Sequence, residues 1–331
     1  MPEAPRPDDS PRDDGTIARS TCGDRCRCPR AQTTSDLDAL LATPGFAGTL
    51  LGADVTSVSR HLPALDHVVG VTVAGPVLMN DVGTHDAPTG IGGPIRCRPS
   101  RISLRLNPAR LGAAVVTDPA AHVPPTLRLF DADGNTAHAT YLTESSDRLA
   151  FEALSLTGGY SGAVDRGGRD DAHRATDLDI PPVDQIAQFD SILDDGGTQR
   201  LSSLPGYSAI GATRVESRRV IAAIEHAALL GMPMTLATTA AGCVQMRHDR
   251  LDGAREHRGS MVVASGSCRT MINFDLVAAC WVTWSDGVWG ATGSIELYDR
   301  HGHCSLVATQ TGSVSAETID AWNQLAHDVA A

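Results

Sequence analysis

The chain lacks the features that define several common classes of protein. No apolar run reaches about 18 residues, so the sequence offers no candidate for a membrane-spanning helix. The first residues, MPEAPRPDDSPRDDG, have no apolar core, and we therefore expect no secretory signal there and a cytoplasmic location. A Gly-rich phosphate loop, a His-Glu-x-x-His pair and a Gly-x-Ser-x-Gly turn are also missing. No local motif therefore predicts a nucleotidase, a zinc protease or a serine hydrolase.

Basic residues are scarce relative to acidic ones, 27 against 39, and the net charge is −12. Such a chain repels a phosphate backbone, so nucleic acid is not an expected partner. Three of the eight cysteines crowd into CGDRCRCPR, residues 22–30. A tetrahedral metal site needs four ligands, and this segment offers three. Cys28-Pro29 resembles the Cys-Pro dipeptide of haem-responsive proteins, so transient iron ligation and chance occurrence both stay open.

Three segments of the first half recur in the second half, in the same order and at nearly the same offset. The matching pairs are TLRLFDADGNTAHATY (126–141) with SIELYDRHGHCSLVAT (294–309), GPVLMND (75–81) with GCVQMRHD (242–249), and RISLRLN (101–107) with CRTMINF (268–274). Three collinear matches indicate a duplicated domain. We predict a disordered tail at 1–34, a first repeat at 35–156, a Gly/Asp-rich linker at 157–182 and a second repeat at 183–331.

Most of each repeat has the pattern of antiparallel strands. In ISLRL the apolar residues alternate with Ser103 and Arg105, which is typical of a strand. The Asp-Ala-Asp-Gly turn at 131–134 and the Ser-Asp-Gly turn at 285–287 each separate two such strands, which predicts hairpins. Helices are predicted at 215–231 and at the end of each repeat. The fold class is therefore α+β, with two tandem repeats that each contain an antiparallel sheet flanked by helices.

Arg105 is the sharpest candidate for a binding residue. If its face of the strand looks into a cleft between sheets, the guanidinium is suited to hold a carboxylate in two places. An arginine on a solvated sheet face is the alternative. His85 in GTHDAPTG and His173 in the linker are candidates to reach a groove between the repeats. An ordinary surface imidazole is the alternative for each.

Several of these segments together resemble the HemS/ChuS family of cytoplasmic haemin-binding and haemin-degrading proteins. The resemblance rests on the segments SLRLNPARLGAAVV, TLRLFDADGNTAHATYLTESSDRLAFEAL, GCVQM, VAACWVTW and GSIELYDRHG. It covers about residues 50–330, and the family is itself an internal duplication. It implies that haem is held beside the domain junction, between a ligating histidine on the helix after the linker and an arginine on the opposite side. Arg105 matches that arginine by its Leu-Arg-Leu context.

The resemblance does not extend to the iron-ligating histidines. The family's helix has His-His before a phenylalanine, and here the matching positions are Ala187 and Gln188. A second family histidine corresponds to Met79 or Leu78. Methionine sulfur also ligates haem iron, and His85 or His173 could move in, so Met79, His85, His173 and Gln188 join Arg105 as the predicted haem-binding residues. Loss of iron ligation is the alternative.

Three functions remain open after the sequence analysis. The first is haem binding in haem-iron uptake with oxidative degradation of the ring, which requires O₂ and an electron donor. The second is a haem carrier or buffer that passes its ligand to or from a haem transporter. The third is a degenerate copy that binds no haem and serves as an interaction scaffold.

Overall fold

The computed structural model describes residues 34–51, 54–120, 122–157, 184–312 and 314–331. The Cys22–Cys28 cluster, His173 and most of the predicted linker lie outside these residues. The helices in the described ranges are α1 Asp36–Leu41, α2 Val55–Ser59, α3 Arg148–Thr157, α4 Gln185–Asp195, α5 Thr198–Ser203, α6 Ser217–Leu229 and α7 Ala316–Ala330. Short 3-10 helices are found at Leu62–Leu65, Pro108–Arg110, Leu204–Ile210 and Phe274–Leu276.

The strands account for most of the remaining described chain. They are β1 Gly48–Leu50, β2 Asp66–Ala74, β3 Val77–His85, β4 Thr89–Gly90, β5 Arg101–Leu106, β6 Leu111–Thr117, β7 Thr126–Asp131, β8 Thr136–Ser146, β9 Thr213–Val215, β10 Pro233–Ala240, β11 Cys243–Arg250, β12 Gly253–His257, β13 Ser260–Ser265, β14 Cys268–Ile272, β15 Val277–Gly287, β16 Gly290–Asp299 and β17 Cys304–Thr309. The α+β class predicted from the sequence is confirmed, and both predicted hairpins are present as β7–β8 and β15–β16. The predicted turn at 285–287 is wrong, because these residues extend β15, Gly287 pairs with Gly290 and the chain reverses at 288–289.

The strands form two large sheets, called here sheet A and sheet B. Sheet A has the order β1-β6-β7-β8-β2-β3-β14-β13-β12. Sheet B has the order β9-β15-β16-β17-β10-β11-β5-β4. All neighbours are antiparallel except β4 and β5, and a short parallel pairing of β3 with β5 joins the two sheets.

Each sheet incorporates strands from the other half of the chain, β12–β14 in sheet A and β4–β5 in sheet B. Strand β5 of the first half pairs with β11, with Arg105 opposite Val244. Strand β14 of the second half pairs with β3, with Thr270 opposite Met79. Strands β5 and β14 thus each have a strand of the opposite half on one side and a strand of their own half on the other. Residues Ser35–Ala331 accordingly form one compact unit, and the proposed domain boundaries at the linker stay a prediction.

The turns of the two matching hairpins have the same geometry. The Asp131 carboxylate accepts hydrogen bonds from the backbone N–H groups of Asp133 and Asn135, at 2.9 and 2.8 Å. The Asp299 carboxylate does the same for the N–H groups two and four residues later, at 2.8 and 2.9 Å. Gly134 and Gly302 have φ of +82° and +83°, a region that glycine adopts without strain. The two Asp-x-x-Gly segments therefore match in structure as they do in sequence.

Replacing Gly302 by alanine is expected to lower the free energy of unfolding by about 1–2 kcal/mol, because a Cβ is disfavoured at positive φ. Gly206→Ala is the matched control, since Gly206 has no positive φ and a Cβ there would meet nothing within 4 Å. Urea denaturation of both variants measures the difference. Equal effects at the two positions would contradict the importance of the left-handed turn.

The described helices cover the sheets and enclose three apolar cores. The prediction of a helix at 215–231 is confirmed in position, since α6 spans Ser217–Leu229. Helix α7 begins at the predicted serine, Ser315, whose side chain accepts from the N–H of Thr318. Helices α6 and α7 pack on one face of sheet B, whereas α4 and α5 cover its other face. Of the helices in the described ranges, none has the length and apolar character needed to cross a membrane.

Candidate functional site

Helix α4 lies directly on sheet B and is fixed at both ends by local sequence. The Asp184 side chain accepts from the N–H of Ala187 at 2.6 Å, which caps the first turn. Gly196 ends the helix in the left-handed conformation, with φ of +73°. Between these caps the buried side chains, Phe189 among them, pack on β10, β11 and β15–β17. The layer between α4–α5 and sheet B is the candidate functional site.

Arg105 lies fully buried at one side of this layer. Its Nε donates to Oδ1 of Asp190 on α4 at 2.9 Å, and Nη2 donates to the same oxygen. Nη1 donates to the carbonyl of Gly93 at 2.8 Å. The second Asp190 oxygen accepts from the N–H of Gly92 at 2.8 Å. Arg105 therefore does hold a carboxylate in a charge-assisted pair, but the carboxylate belongs to the protein. The expected open cleft and the solvated sheet face are both absent at this position.

A second guanidinium is buried elsewhere in the layer. Arg200 on α5 donates through Nη2 to Oε1 of Glu296 on β16 at 2.6 Å, and its Nε lies 3.1 and 3.0 Å from the two oxygens. Tyr298 Oη donates to Oε2 at 2.6 Å, and Thr283 Oγ1 donates to Oε1 at 2.7 Å. Gln188 Nε2 donates to Oε1 at 2.7 Å. Glu296 is fully buried, and each of its oxygens accepts several donors.

The Glu296 carboxylate and the Arg200 guanidinium of this cluster stay ionised. Burial raises the pKa of the Glu296 carboxyl, but the charge of Arg200 and the donated hydrogen bonds outweigh it, so the pKa lies below its ordinary value. Burial lowers the pKa of Arg200, and the Glu296 charge overcomes that and raises it. Burial, followed by the nearby Glu296 charge, raises the pKa of Tyr298. The phenol thus stays neutral and remains a hydrogen-bond donor.

The predicted site residues fall into two groups. Arg105 on β5 and Gln188 on α4 both face the layer between α4 and sheet B, and Gln188 is fully buried with its carbonyl oxygen accepting from Ser285 at 2.9 Å. Met79 and His85 lie on β3 in sheet A, where both are buried. Their assignment as haem ligands stays a prediction.

Met79 and His85 are held by different surroundings in sheet A. The Met79 side chain is part of the apolar core beneath α6 and α7. His85 Nε2 lies 3.1 Å from the Thr140 hydroxyl, and the ring packs edge-on against His138. Burial lowers the pKa of His85 to about 3. Neither side chain reaches a surface groove without a local rearrangement.

Asp190, Arg200 and Glu296 were missed by the sequence analysis. Glu296 stands between Ile295 and Leu297 in a strand, and simple alternation places such a glutamate in solvent. Both faces of β16 are covered by helices, so the alternation carries no information about exposure. The residue 168 positions earlier in the matching repeat is Arg128. This difference between the repeats is the one indication in the sequence that the buried carboxylate occurs only in the second half.

A separate groove of about 420 Å³ lies at the tips of the β2–β3 and β10–β11 hairpins. Its lining includes Asp131, Asp194, Asp299, Arg110 and His303. The Asp131 and Asp299 carboxylates accept hydrogen bonds within their own turns. Because carboxylates dominate the lining, this groove repels an anionic ligand and is a poor candidate for a site that binds carboxylates.

Fold and site together define a protein of two intertwined α+β repeats, with paired guanidinium and carboxylate groups buried under α4 and α5. Residues 197–329 match the model of the haemin-degrading HemS.ChuX domain. This match confirms the predicted resemblance to the HemS/ChuS family over these residues. No curated protein matches the chain.

Solved structures with the same fold cover most of the chain. Holo-PhuS, a haem-binding protein from Pseudomonas aeruginosa, matches with a TM-score of 0.67 and 19% identity, over 86% of this chain and 87% of its own. ChuS, an Escherichia coli haem oxygenase, matches with a TM-score of 0.66 and 15% identity, over 85% and 88%. At these identities the likeness shows the fold alone. It confirms the predicted fold of two repeats, each with a sheet flanked by helices.

The side chains of the layer fit haem in part. Two guanidiniums are suited to two propionates, and the aromatic and aliphatic side chains around Phe189 suit a macrocycle. The described residues of α4 include no imidazole: Gln188 faces the sheet, and Ala187 is exposed. The layer is also filled by protein side chains, so haem requires α4 to move away from the sheet.

Proposed function

We propose that the protein is a cytoplasmic haem-binding protein of haem-iron uptake, which binds haem between α4–α5 and the face of sheet B. The observation that carries the proposal is the burial of two guanidiniums, of Arg105 and Arg200, in this layer. Buried arginines are suited to bidentate recognition of carboxylates, and haem carries two of them. The PhuS and ChuS descriptions, which name haem binding and haem oxygenation, support a haem ligand.

Binding and transfer of intact haem is the form of this function that the site favours. The positions that carry histidines in the family are Ala187 and Gln188, and the Gln188 amide is engaged by Glu296 and Ser285. A carrier does not activate O₂ at the iron, so it does not depend on a particular iron ligand. It needs a haem transporter or a haem-using protein as its partner.

Oxidative degradation is the second candidate. The domain in residues 197–329 is described as haemin-degrading, and ChuS as a haem oxygenase, which favours this chemistry. It requires O₂ and an external electron donor, and it consumes haem as substrate with release of iron.

A haemin titration followed by reduction tests the proposal. Saturable growth of a Soret band is expected, with quenching of the buried Trp281 in the same layer. A Soret band that persists after ascorbate in air indicates a carrier, whereas its loss with release of iron indicates degradation. If no saturable binding occurs, the proposal fails and the interaction scaffold remains.

Arg105→Gln is expected to weaken haemin binding about tenfold, the effect of one lost charge-assisted contact of about 1.4 kcal/mol. Arg110→Gln is the matched control, because the Arg110 side chain is 49% exposed at the surface.

Met79→Leu keeps the core volume and removes the thioether. A shifted Soret maximum in this variant would assign Met79 as an iron ligand, and an unchanged one would exclude it.

A further inference from the structure

We propose that the Asp190 carboxylate occupies the place of a haem propionate on Arg105, so that α4 acts as a latch closed by an internal competitor of the ligand. This inference rests on the proposed function, and it adds the step that controls access to the site. Its basis is the geometry around Arg105, where three different segments of the chain meet.

The contacts of Arg105 are those of a carboxylate receptor that is already filled. Its Nε and Nη2 both donate to Oδ1 of Asp190, and Nη1 donates to the Gly93 carbonyl. A haem propionate presents the same acceptor group as the aspartate side chain. Its carboxylate is attached through two methylenes, where that of aspartate is attached through one. The two carboxylates therefore compete for one guanidinium.

The latch joins α4 to two parts of the first repeat. Asp190 stands on α4, Arg105 on β5, and the Asp190 Oδ2 atom accepts from Gly92 N–H in the loop after β4. Breaking the contacts of this one side chain thus separates α4 from β5 and from the loop after β4, while Gln188 and Phe189 still contact the rest of sheet B. No comparable ion pair of α4 with the first repeat is buried among the described residues, since Asp194 meets Arg110 at the surface, at 3.6 Å.

Asp190, the internal competitor, lies closer to solvent than Arg105 does. The Arg105 side chain is 0% exposed, whereas Asp190 is 18% exposed. A ligand that approaches from solvent therefore meets Asp190 first and reaches the guanidinium only after displacing it. Arg105 carries its charge buried in both states, and the exchange of one carboxylate for another avoids leaving it unpaired.

Such a latch lowers the apparent affinity for haem by the fraction of molecules that are open. Asp190→Asn removes the negative charge and keeps an oxygen that can accept from Gly92. The neutral amide competes less well for Arg105, so the open fraction rises. Haemin is then expected to bind at least about tenfold more tightly and to associate faster.

Stopped-flow and equilibrium titrations with haemin and with haemin dimethyl ester, whose propionates are blocked, test the latch. The gain of Asp190→Asn is expected with both ligands, because the open fraction rises for either one, whereas the preference for haemin over the ester reports the propionate contact with Arg105. Asp194→Asn, one turn further along α4 with a 60% exposed side chain, is the matched control and is expected to bind as the unaltered protein does. An unchanged or weaker haemin affinity in Asp190→Asn overturns the inference.

The double variant Arg105→Gln/Asp190→Asn keeps the test decisive if Asp190→Asn does not fold, because it leaves no buried charge unpaired. Its preference for haemin over the ester is expected to be about tenfold smaller than that of the unaltered protein. A preserved preference overturns the inference. If the unaltered protein shows no saturable haemin binding, the proposed function itself fails, which is a different result from a failure of the latch alone.

Discussion

Replacing Glu296 by glutamine is expected to lower the free energy of unfolding by about 3–5 kcal/mol, the cost of leaving a buried charge without its partner. The Arg200 side chain is 8% exposed and its guanidinium binds both oxygens of Glu296. The amide retains one acceptor oxygen but has no charge to compensate the arginine. Urea denaturation followed by circular dichroism measures the loss.

Two further variants separate the charge from the shape of the site. Glu256→Gln on the exposed strand β12 is the control and is expected to change stability by less than about 0.5 kcal/mol. Arg200→Met combined with Glu296→Gln removes both charges and is expected to recover most of the loss. If Glu296→Gln is no less stable than the control, the ion pair of Arg200 does not contribute to holding α5 on sheet B.

Acidification from pH 7 to pH 5 is expected to destabilise the fold by about 2 kcal/mol through His85 alone. Burial lowers the pKa of His85 from 6.5 to about 3. Burial, and then the neighbouring His85, lowers the pKa of His138 as well. The unfolded chain therefore binds more protons than the folded one below pH 6.5. Stability is full above pH 6.5 and falls as the pH decreases toward 3.

His85→Gln isolates this effect, because the amide can still meet the Thr140 hydroxyl and does not titrate. The variant is expected to lose about 2 kcal/mol less than the unaltered protein between pH 7 and pH 5. Burial raises the pKa of Asp81 despite the nearby Arg247. This shift changes stability with pH in the sense opposite to that of His85. It is common to both proteins, so it cancels in the comparison. His257→Gln on exposed β12 is the control. A parallel pH profile in His85→Gln would show that this imidazole is already protonated or solvated in the fold.

Arg105 shows how much of the site could be predicted from the sequence. Its alternation with Ile102 and Leu104 predicted a strand, and its chemistry predicted a bound carboxylate, which the structure provides from Asp190. The partner stands 85 residues away on a helix after the linker. No local pattern connects the two positions, since the pairing arises only when α4 docks on sheet B.

The sheets show the same limit at a larger scale. The three matched segments predicted two similar halves, and the paired turns at Asp131 and Asp299 agree with that prediction. The exchange of β4–β5 and β12–β14 between the halves was not foreseen. A strand carries the same apolar alternation whichever sheet it joins, so the pattern specifies a strand and leaves its partner open.

The sequence by itself determined the elements, because hairpin turns, helix caps and apolar periodicity act between residues that are close in the chain. It also indicated the family, through segments whose order and spacing recur. Tertiary structure alone decided which charges became paired and which faces became buried. Those outcomes depend on contacts between distant segments, where the burial of Arg105, Arg200 and Glu296 is set by the docking of α4 and α5 on sheet B.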